Sequence, residues 1–255
     1  DMRILHTADL HLGRQFMGLS LEEDHEVVLG QILETLLVER VDVLVIAGDV
    51  FDRASPPNSS IRQFNHFLKR VADETEAAVV MISGNHDSGD RIEAMSVFST
   101  ASRVLVRGIA DAVETPLVLS DEHGEIAFSA LPFSYEYAAR EVFGDEGIST
   151  PADVIAAQIS AARGQVPEGT RWVVVAHAFV AGGAVELRLA ACSVFWHLRL
   201  TFGLRLVLLL GAGVDHLRRV LAILRVHSEP LRRHLLAAFS LLGDEDTGVC
   251  VLGNG

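Results

Sequence analysis

The stretch that decides the fold is residues 43–52, which read VLVIAGDVFD. Its first five residues are all apolar, and a continuous apolar run of this length is typical of a strand buried on both faces of a parallel sheet. Gly48 and Asp49 then end the run with a turn residue and a carboxylate. The stretch therefore predicts a buried strand with a polar side chain directly at its carboxyl end.

Three other apolar runs end in polar residues in the same way. Residues 2–7 lead to Asp9 and His11, residues 78–82 lead to GNHD at 84–87, and residues 172–176 lead to His177. Between and after these runs, residue spacing predicts helices over 21–40, 59–74, 91–99 and 151–163, and short strands over 104–106, 117–119 and 126–131. Alternating strands and helices predict an α/β layered fold, in which ligand chemistry lies at the carboxyl ends of strands.

The side chains at these strand ends form a mixed set of carboxylate, imidazole and amide groups, which suits Mn²⁺, Fe or Zn²⁺. Residues i and i+2 of an extended segment point to one face, so we expect Asp9 and His11 to reach one metal ion together. Asp49 is placed to bridge two ions, and Asn85 adds a neutral oxygen. Each element alone is also typical of a solvated strand end or a polar turn. Their conjunction predicts a metal centre, and two ions about 3.5–4 Å apart can clamp a phosphodiester.

The order D-x-H, G-D-x-x-D, G-N-H-D and a later strand-end histidine resembles the calcineurin-like metallophosphoesterases. The longer segments at 2–14, 48–53 and 177–183 are similar to the SbcD subfamily of nuclease subunits, and the resemblance covers about residues 2–183. It implies a layered metallophosphoesterase β-sandwich flanked by helices. It also implies a hydrolase that cuts DNA as an exonuclease and endonuclease in repair, recombination and replication. An SbcC-type ATPase subunit and DNA would be its partners, with a homodimer within the complex.

The resemblance further implies two divalent metal ions, foremost Mn²⁺, and a role for each matched residue. The implied ligands are Asp9, His11 and Asp49 for the first ion, and Asp49, Asn85 and His177 for the second. His86 would lie beside the scissile phosphate as a catalytic residue, and Asp87 would orient it. A structural turn histidine is the alternative interpretation of His86.

The sequence departs from this resemblance after residue 183. The family's further G-H-x-H motif, which gives one histidine to each metal, has no counterpart, and Ala212 and Val214 stand where the imidazoles would be. The candidate replacements are Asp215, His216, His197 and His227. Residues 187–243 hold 17 Leu and 8 Arg. We therefore expect a nuclease core over 2–183 and a divergent segment over 184–255 without the family's capping domain. A shifted reading frame and a divergent subdomain both explain that segment.

Charge and composition exclude some modes of DNA binding and some classes of protein. The formal net charge is −13, whereas a protein that holds DNA by bulk charge is normally basic, so metal ions or a partner must offset the acidity. The chain has two cysteines, too few for a disulfide framework, and this predicts a cytoplasmic protein. No apolar run reaches the ~20 residues that a membrane span needs.

Three functions stay open at this point: an SbcD-like nuclease subunit, a metallophosphoesterase acting on a small phosphodiester or a phosphoprotein, and a catalytically impaired member of the family. The missing G-H-x-H motif favours the third. Because each ion would lack one imidazole, we expect weak Mn²⁺ binding and feeble activity from the chain as written.

Overall fold

The computed structural model describes residues 2–96, 103–178, 198–199, 205–206 and 248–253. The chain divides into two units, one formed by residues 1–180 and 245–255 and the other by residues 181–244. The described strands are β1 (Ile4–Thr7), β2 (Gln15–Phe16), β3 (Leu19–Ser20), β4 (Val43–Ala47), β5 (Ala78–Ile82), β6 (Val104–Arg107), β7 (Leu117–Asp121), β8 (Gly124–Leu131), β9 (Arg171–His177), β10 (Leu198–Arg199), β11 (Arg205–Leu206) and β12 (Gly248–Gly253). The described helices are α1 (Glu22–Val38), α2 (Asn58–Glu74), α3 (Gly89–Glu93), α4 (Glu136–Phe143) and α5 (Pro151–Arg163).

The first sheet has the order β1-β4-β5-β6, and all its pairings are parallel. Thr7 pairs with Ile46 and Ile46 pairs with Met81, so β1, β4 and β5 end at the same level. The loops that leave these three strands therefore start side by side at one edge of the sheet.

The second sheet has the order β12-β9-β8-β7. Strands β8 and β9 are parallel and end together, with Leu131 opposite Ala176, while β7 and β12 run antiparallel to their neighbours. Strand β12 thus brings residues 248–253 into the first unit. The predicted boundary at residue 183 stays a prediction, and the candidate replacement ligands Asp215, His216, His197 and His227 lie outside the described residues.

The two sheets pack face to face because β4 is apolar throughout. Val43, Val45 and Ala47 point to the second sheet and contact a cluster that includes Phe128 and Val175. The alternate residues Leu44 and Ile46 point the other way, into a cluster with α1 and α2 that includes Leu33 and Phe64. Burial of a side chain of this size contributes about 1.5–3 kcal/mol. Both faces of β4 are therefore inside, as its continuous apolar sequence predicts.

A second helical layer covers the outer face of the second sheet. Ala162 and Ile155 of α5 pack against Leu131, Trp172 and Val174. Helix α5 begins as predicted because Thr150 and Asp153 form a reciprocal capping box and Pro151 occupies the first turn. The layered α/β sandwich flanked by helices is confirmed.

Some predicted elements differ from the structure. Helix α3 begins at Gly89 rather than Arg91, because the Ser88 side chain accepts a hydrogen bond from the Arg91 N–H and caps it there. It ends at Glu93, and residues 97–99 of the predicted helix lie outside the described residues. The β2–β3 hairpin and α4 were not predicted, since segments this short give no clear periodicity.

Candidate metal centre

The loops after β1 and β4 are joined by main-chain hydrogen bonds. The Asp9 N–H donates to the Gly48 carbonyl at 3.1 Å, and the His11 N–H donates to the Asp49 carbonyl at 2.9 Å. The Leu12 N–H then donates to the Val50 carbonyl at 2.9 Å. Together these three bonds fix the D-x-H segment against the residues that follow β4.

Three of the predicted ligands adopt left-handed backbone conformations. The φ angles are 55° at Asp9, 45° at His11 and 50° at Asp49. The expectation that Asp9 and His11 lie on one extended segment is therefore wrong, because β1 ends at Thr7 and the chain turns at both residues. Left-handed backbone at a residue other than glycine costs about 1–2 kcal/mol and is concentrated at functional sites.

Asp49 lies at the middle of the centre and is fully buried. One carboxylate oxygen, Oδ1, accepts a hydrogen bond from the His86 N–H at 2.9 Å. The other, Oδ2, makes no hydrogen bond with any residue that the structure describes. It lies 3.7 Å from Nε2 of His11 and 3.7 Å from Nε2 of His177. Two imidazoles thus face one buried carboxylate oxygen at distances too long for hydrogen bonds.

The ring of His177 has a defined orientation. Its Nδ1 lies 2.8 Å from the Ala47 carbonyl, which can only accept, so Nδ1 holds the proton. In a neutral ring Nε2 then has a bare lone pair, yet it lies 3.1 Å from Oδ1 of Asn85. The Nε2 lone pair and the Asn85 amide oxygen could therefore bind the same metal ion. A main-chain carbonyl on the outer nitrogen is a usual partner of a metal-binding histidine.

His11 is also buried, and burial is the main cause that lowers its pKa below the usual value. The Asp49 carboxylate opposes this shift, and the neighbouring His86 adds to it. The rings of His11 and His86 meet edge to face, with centroids 4.8 Å apart. A lowered pKa keeps the His11 ring neutral near pH 7, which is the form that binds metal.

Two glycines make room for these side chains. A Cβ atom on Gly48, where φ is 89°, would overlap the His177 ring, and a Cβ on Gly84 would overlap the Asp49 carboxylate. The glycines of the G-D and G-N sequences are therefore required by close approach.

The described hydrogen bonds of Asp87 go to main-chain N–H groups. Its carboxylate accepts hydrogen bonds from the N–H groups of Val50 at 3.1 Å, Phe51 at 2.9 Å and Gly84 at 3.0 Å. Burial raises its pKa to about 6, and these three hydrogen bonds oppose that shift. Asp87 thus ties the loop after β4 to the loop after β5, and its predicted role in orienting His86 stays a prediction.

The imidazole of His86 is held by another residue, which the sequence reasoning did not select. Its Nδ1 lies 3.0 Å from the main-chain carbonyl of Asp52. The Asp52 carboxylate also lies 3.6 Å from Nδ1 of His11 and 3.8 Å from Nε of Arg14. The available signal was the second aspartate of G-D-x-x-D. Its carbonyl orients His86, and its carboxylate lies near His11 without a hydrogen bond to it.

The structure groups the donor atoms into two clusters that share Asp49. One contains His11, Asp49 and His86, the other Asp9, Asp49 and His177, and within each the donor atoms lie within 4.8 Å of one another. Ligands bonded to one ion at about 2.0–2.2 Å are at most about 4.4 Å apart, so the 3.7 Å spacing around Asp49 fits shared ions. Asp9 and His11 fall in different clusters, whereas the resemblance implies one ion for both.

Comparison with known proteins identifies the family of this chain. Residues 2–151 match the family model described as calcineurin-like phosphoesterase. The chain belongs to this family. It is also 30% identical over 182 residues to the SbcD component of the SbcCD nuclease of Staphylococcus saprophyticus. That alignment covers 71% of this chain and 47% of the relative, so the chain spans about half the length of the curated protein it matches. The resemblance predicted from the motifs is confirmed.

The described helices are short or polar. Across 2–96, 103–178 and the short strands that follow, no helix combines the length and apolar character that a membrane crossing needs.

Proposed function

We propose that this chain hydrolyses DNA phosphodiesters at the centre around Asp49, using two divalent ions of which Mn²⁺ is the first candidate. We further propose that it acts in the cytoplasm as the nuclease subunit of a complex with an SbcC-type ATPase. The observation that carries the proposal is the buried Asp49 Oδ2, which faces two imidazole nitrogens and has no hydrogen-bond donor among the described residues.

The donor set fits such ions. Mixed carboxylate, imidazole and amide ligands suit Mn²⁺, Fe or Zn²⁺. The residues that would hold the ions are Asp9, His11, Asp49, Asn85 and His177. When bound there, two such ions would supply positive charge for the phosphate and a nucleophilic hydroxide at neutral pH.

The remaining chemistry comes from the protein's own side chains. In the proposed role, the Ala47 carbonyl and the Asp52 carbonyl orient His177 and His86 through their Nδ1 atoms. When His86 is doubly protonated, its Nε2–H can donate a proton to the oxygen that leaves phosphorus as the P–O bond breaks. Asp87 keeps the two loops together so that His86 stays beside Asp49.

DNA is the proposed substrate because the relative that the chain matches is named as part of a nuclease. The net charge of −13 makes retention of DNA by bulk charge unfavourable. Bound cations at the centre would reverse that charge locally, where the phosphodiester must approach.

The test compares three substrates with the 255-residue chain in Mn²⁺ and in EDTA: linear duplex DNA, bis-(p-nitrophenyl) phosphate and a phosphopeptide. We expect feeble cleavage of DNA and of the small diester that depends on Mn²⁺, and little release of phosphate from the peptide. Hydrolysis of the small diester without DNA cleavage would support a small-molecule phosphodiesterase instead. Metal binding measured by elemental analysis without any hydrolysis would support the catalytically impaired alternative and contradict the proposal.

A further inference from the structure

Three aromatic rings, two of them exposed, contact one another in the segment that follows β8. They belong to Phe133, Tyr135 and Tyr137 and are called the aromatic ladder below. The rings of Phe133 and Tyr135 meet edge to face at 4.9 Å, and those of Tyr135 and Tyr137 are nearly parallel, with an interplanar angle of 11° and centroids 5.7 Å apart.

The two tyrosines of the ladder are open to solvent. Tyr135 is 51% exposed and Tyr137 is 66% exposed. They lie where β8 has ended and α4 begins, with Tyr135 at the N-cap and Tyr137 in the first turn. Folding of the described residues therefore leaves two adjacent tyrosine rings where a ligand can reach them.

The ladder starts next to the loop that holds two predicted site residues. The Phe133 N–H donates to the Ser83 carbonyl at 3.0 Å. Asn85 follows two residues later along the chain, a distance of at most about 7 Å between Cα atoms. Strand β8 also ends level with β9, which leads to His177. A polymer held at the centre by its phosphate could therefore place adjoining groups on the ladder.

We propose that the aromatic ladder is a stacking surface for unpaired bases of the DNA strand being cut. This inference rests on the proposed function. It specifies the substrate further, as a DNA end that carries unpaired bases. Bases stack on tyrosine rings whatever their sequence. Because the rings of Tyr135 and Tyr137 are already close, a base would add to an open face of the pair rather than insert between them.

Charge in the same region favours this mode of binding. Near the ladder, Glu136 and Glu141 flank Arg140, and the Arg140 guanidinium donates to the Ile148 carbonyl at 2.7 Å. A surface of this kind offers little attraction for phosphates, whereas stacking depends weakly on net charge. The ladder would thus hold a frayed or single-stranded end that an acidic protein could not hold by electrostatics alone.

The experiment measures binding in EDTA, where no cleavage occurs. A labelled strand of about 16 thymidine nucleotides is compared with an abasic strand of the same length and phosphate charge, by fluorescence anisotropy at two salt concentrations. The variants are Y135L/Y137L, which keeps apolar bulk but removes the ring faces, and Y135F/Y137F as the matched control, which keeps them. Thermal unfolding of each variant checks that it is folded.

We expect the parent and Y135F/Y137F to bind the thymidine strand between about fivefold and a hundredfold more tightly than the abasic strand, at both salt concentrations. In Y135L/Y137L this ratio should fall close to one. An equal ratio in the leucine variant and the parent, or no preference in the parent, would overturn the inference. The proposed function is judged separately, by whether the parent cleaves duplex DNA as well as bis-(p-nitrophenyl) phosphate in Mn²⁺.

Discussion

The two ends of the sheet sandwich differ in which residues adopt left-handed backbone. At the end that carries the metal centre, positive φ angles occur at Asp9, His11 and Asp49. At the opposite end, positive φ angles occur at Gly124 in the β7–β8 turn (106°), at Gly169 before β9 (76°) and at Arg40 before β4 (50°), none of which is a predicted ligand. Left-handed backbone has a steric cost for residues with a Cβ atom, and glycine avoids that cost. The comparison shows that the sequence retains ligand-type side chains where a turn alone would favour glycine.

The two ends also differ in how their carboxylates are compensated. At the opposite end, Asp121 pairs with the Arg171 guanidinium and accepts a hydrogen bond from the Met2 N–H at 3.0 Å. At the metal centre, the Asp49 Oδ2 has no such donor among the residues that the structure describes. The carboxylate at one end is compensated by protein groups, and the carboxylate oxygen at the other faces the place of the proposed cations.

The largest effect is expected from Asp49→Asn. Asparagine keeps the size of the side chain and tolerates the left-handed backbone, so the change removes mainly the charge. If Asp49 bridges both ions, the affinity for each should fall at least about 10–100-fold. Calorimetric titration with Mn²⁺ measures this, and Asp121→Asn at the opposite end is the matched control that should keep the parental affinity. One ion retained at parental affinity would make Asp49 a terminal ligand.

The next largest effect is expected from His86→Ala, which tests whether His86 acts in catalysis or in metal binding. We expect His86→Ala to lower the rate of DNA cleavage by about 10²–10⁴ while Mn²⁺ affinity stays within a few-fold of the parent. Single-turnover cleavage and calorimetry together measure both quantities, and the exposed His123→Ala serves as control. The donor atoms of His86 lie in one cluster with His11 and Asp49. Loss of an ion from His86→Ala would therefore identify His86 as a ligand and remove its proposed role as a proton donor.

The features that could be predicted best from the sequence are those that depend on residues close together along the chain. The bounds of β4 and β5 agree with the prediction, because each is an apolar run that ends at or next to glycine. Helix α5 agrees because Thr150 and Pro151 define its start locally. The gathering of polar side chains at one edge followed from the parallel order of β1, β4 and β5.

Features that depend on distant residues could not be predicted. The turns at Asp9 and His11 are held by the carbonyls of Gly48 and Asp49, which are far away along the chain, so an assumption of extended backbone was wrong. The partners of Asp87 likewise come from the loop after β4. Assignment of the predicted site residues to metal binding or catalysis stays a prediction.

A pair of glycine variants tests the difference in backbone strain. Gly48→Ala places a Cβ against the His177 ring at a φ of 89°, and we expect it to lower the free energy of unfolding by about 2–4 kcal/mol. Gly124→Ala imposes a similar strain at a φ of 106°, but no described atom lies within 4 Å of the added Cβ. Its expected cost is about 1 kcal/mol. Urea unfolding in EDTA, followed by tryptophan fluorescence, measures both, and equal costs would contradict the close-approach argument.

The smallest effect concerns the ion pair at the opposite end. The hydrogen bond from Arg171 is the main cause that lowers the pKa of Asp121 to about 2. Because the pKa in the folded state lies below the unfolded value of about 3.9, the charged carboxylate stabilises the fold above about pH 4. This contribution disappears as the pH falls through about 2. Asp121 is at the surface, so the difference in unfolding free energy between the parent and Asp121→Asn should be small.

The way this difference in unfolding free energy changes with pH can be predicted and checked. Urea unfolding at about pH 7, 4, 3 and 2 should show the parent more stable than Asp121→Asn at the two higher values, with the difference shrinking at the third and nearly gone at the lowest. Arg171→Gln should weaken the same dependence, because it removes the largest of the causes that lower the pKa of Asp121. A difference that stays constant down to the lowest pH would mean that Asp121 stabilises this end through packing or neutral hydrogen bonds rather than through its charge. In that case the contrast between a compensated carboxylate at one end and one that faces the proposed cations at the other would rest on Asp49 alone.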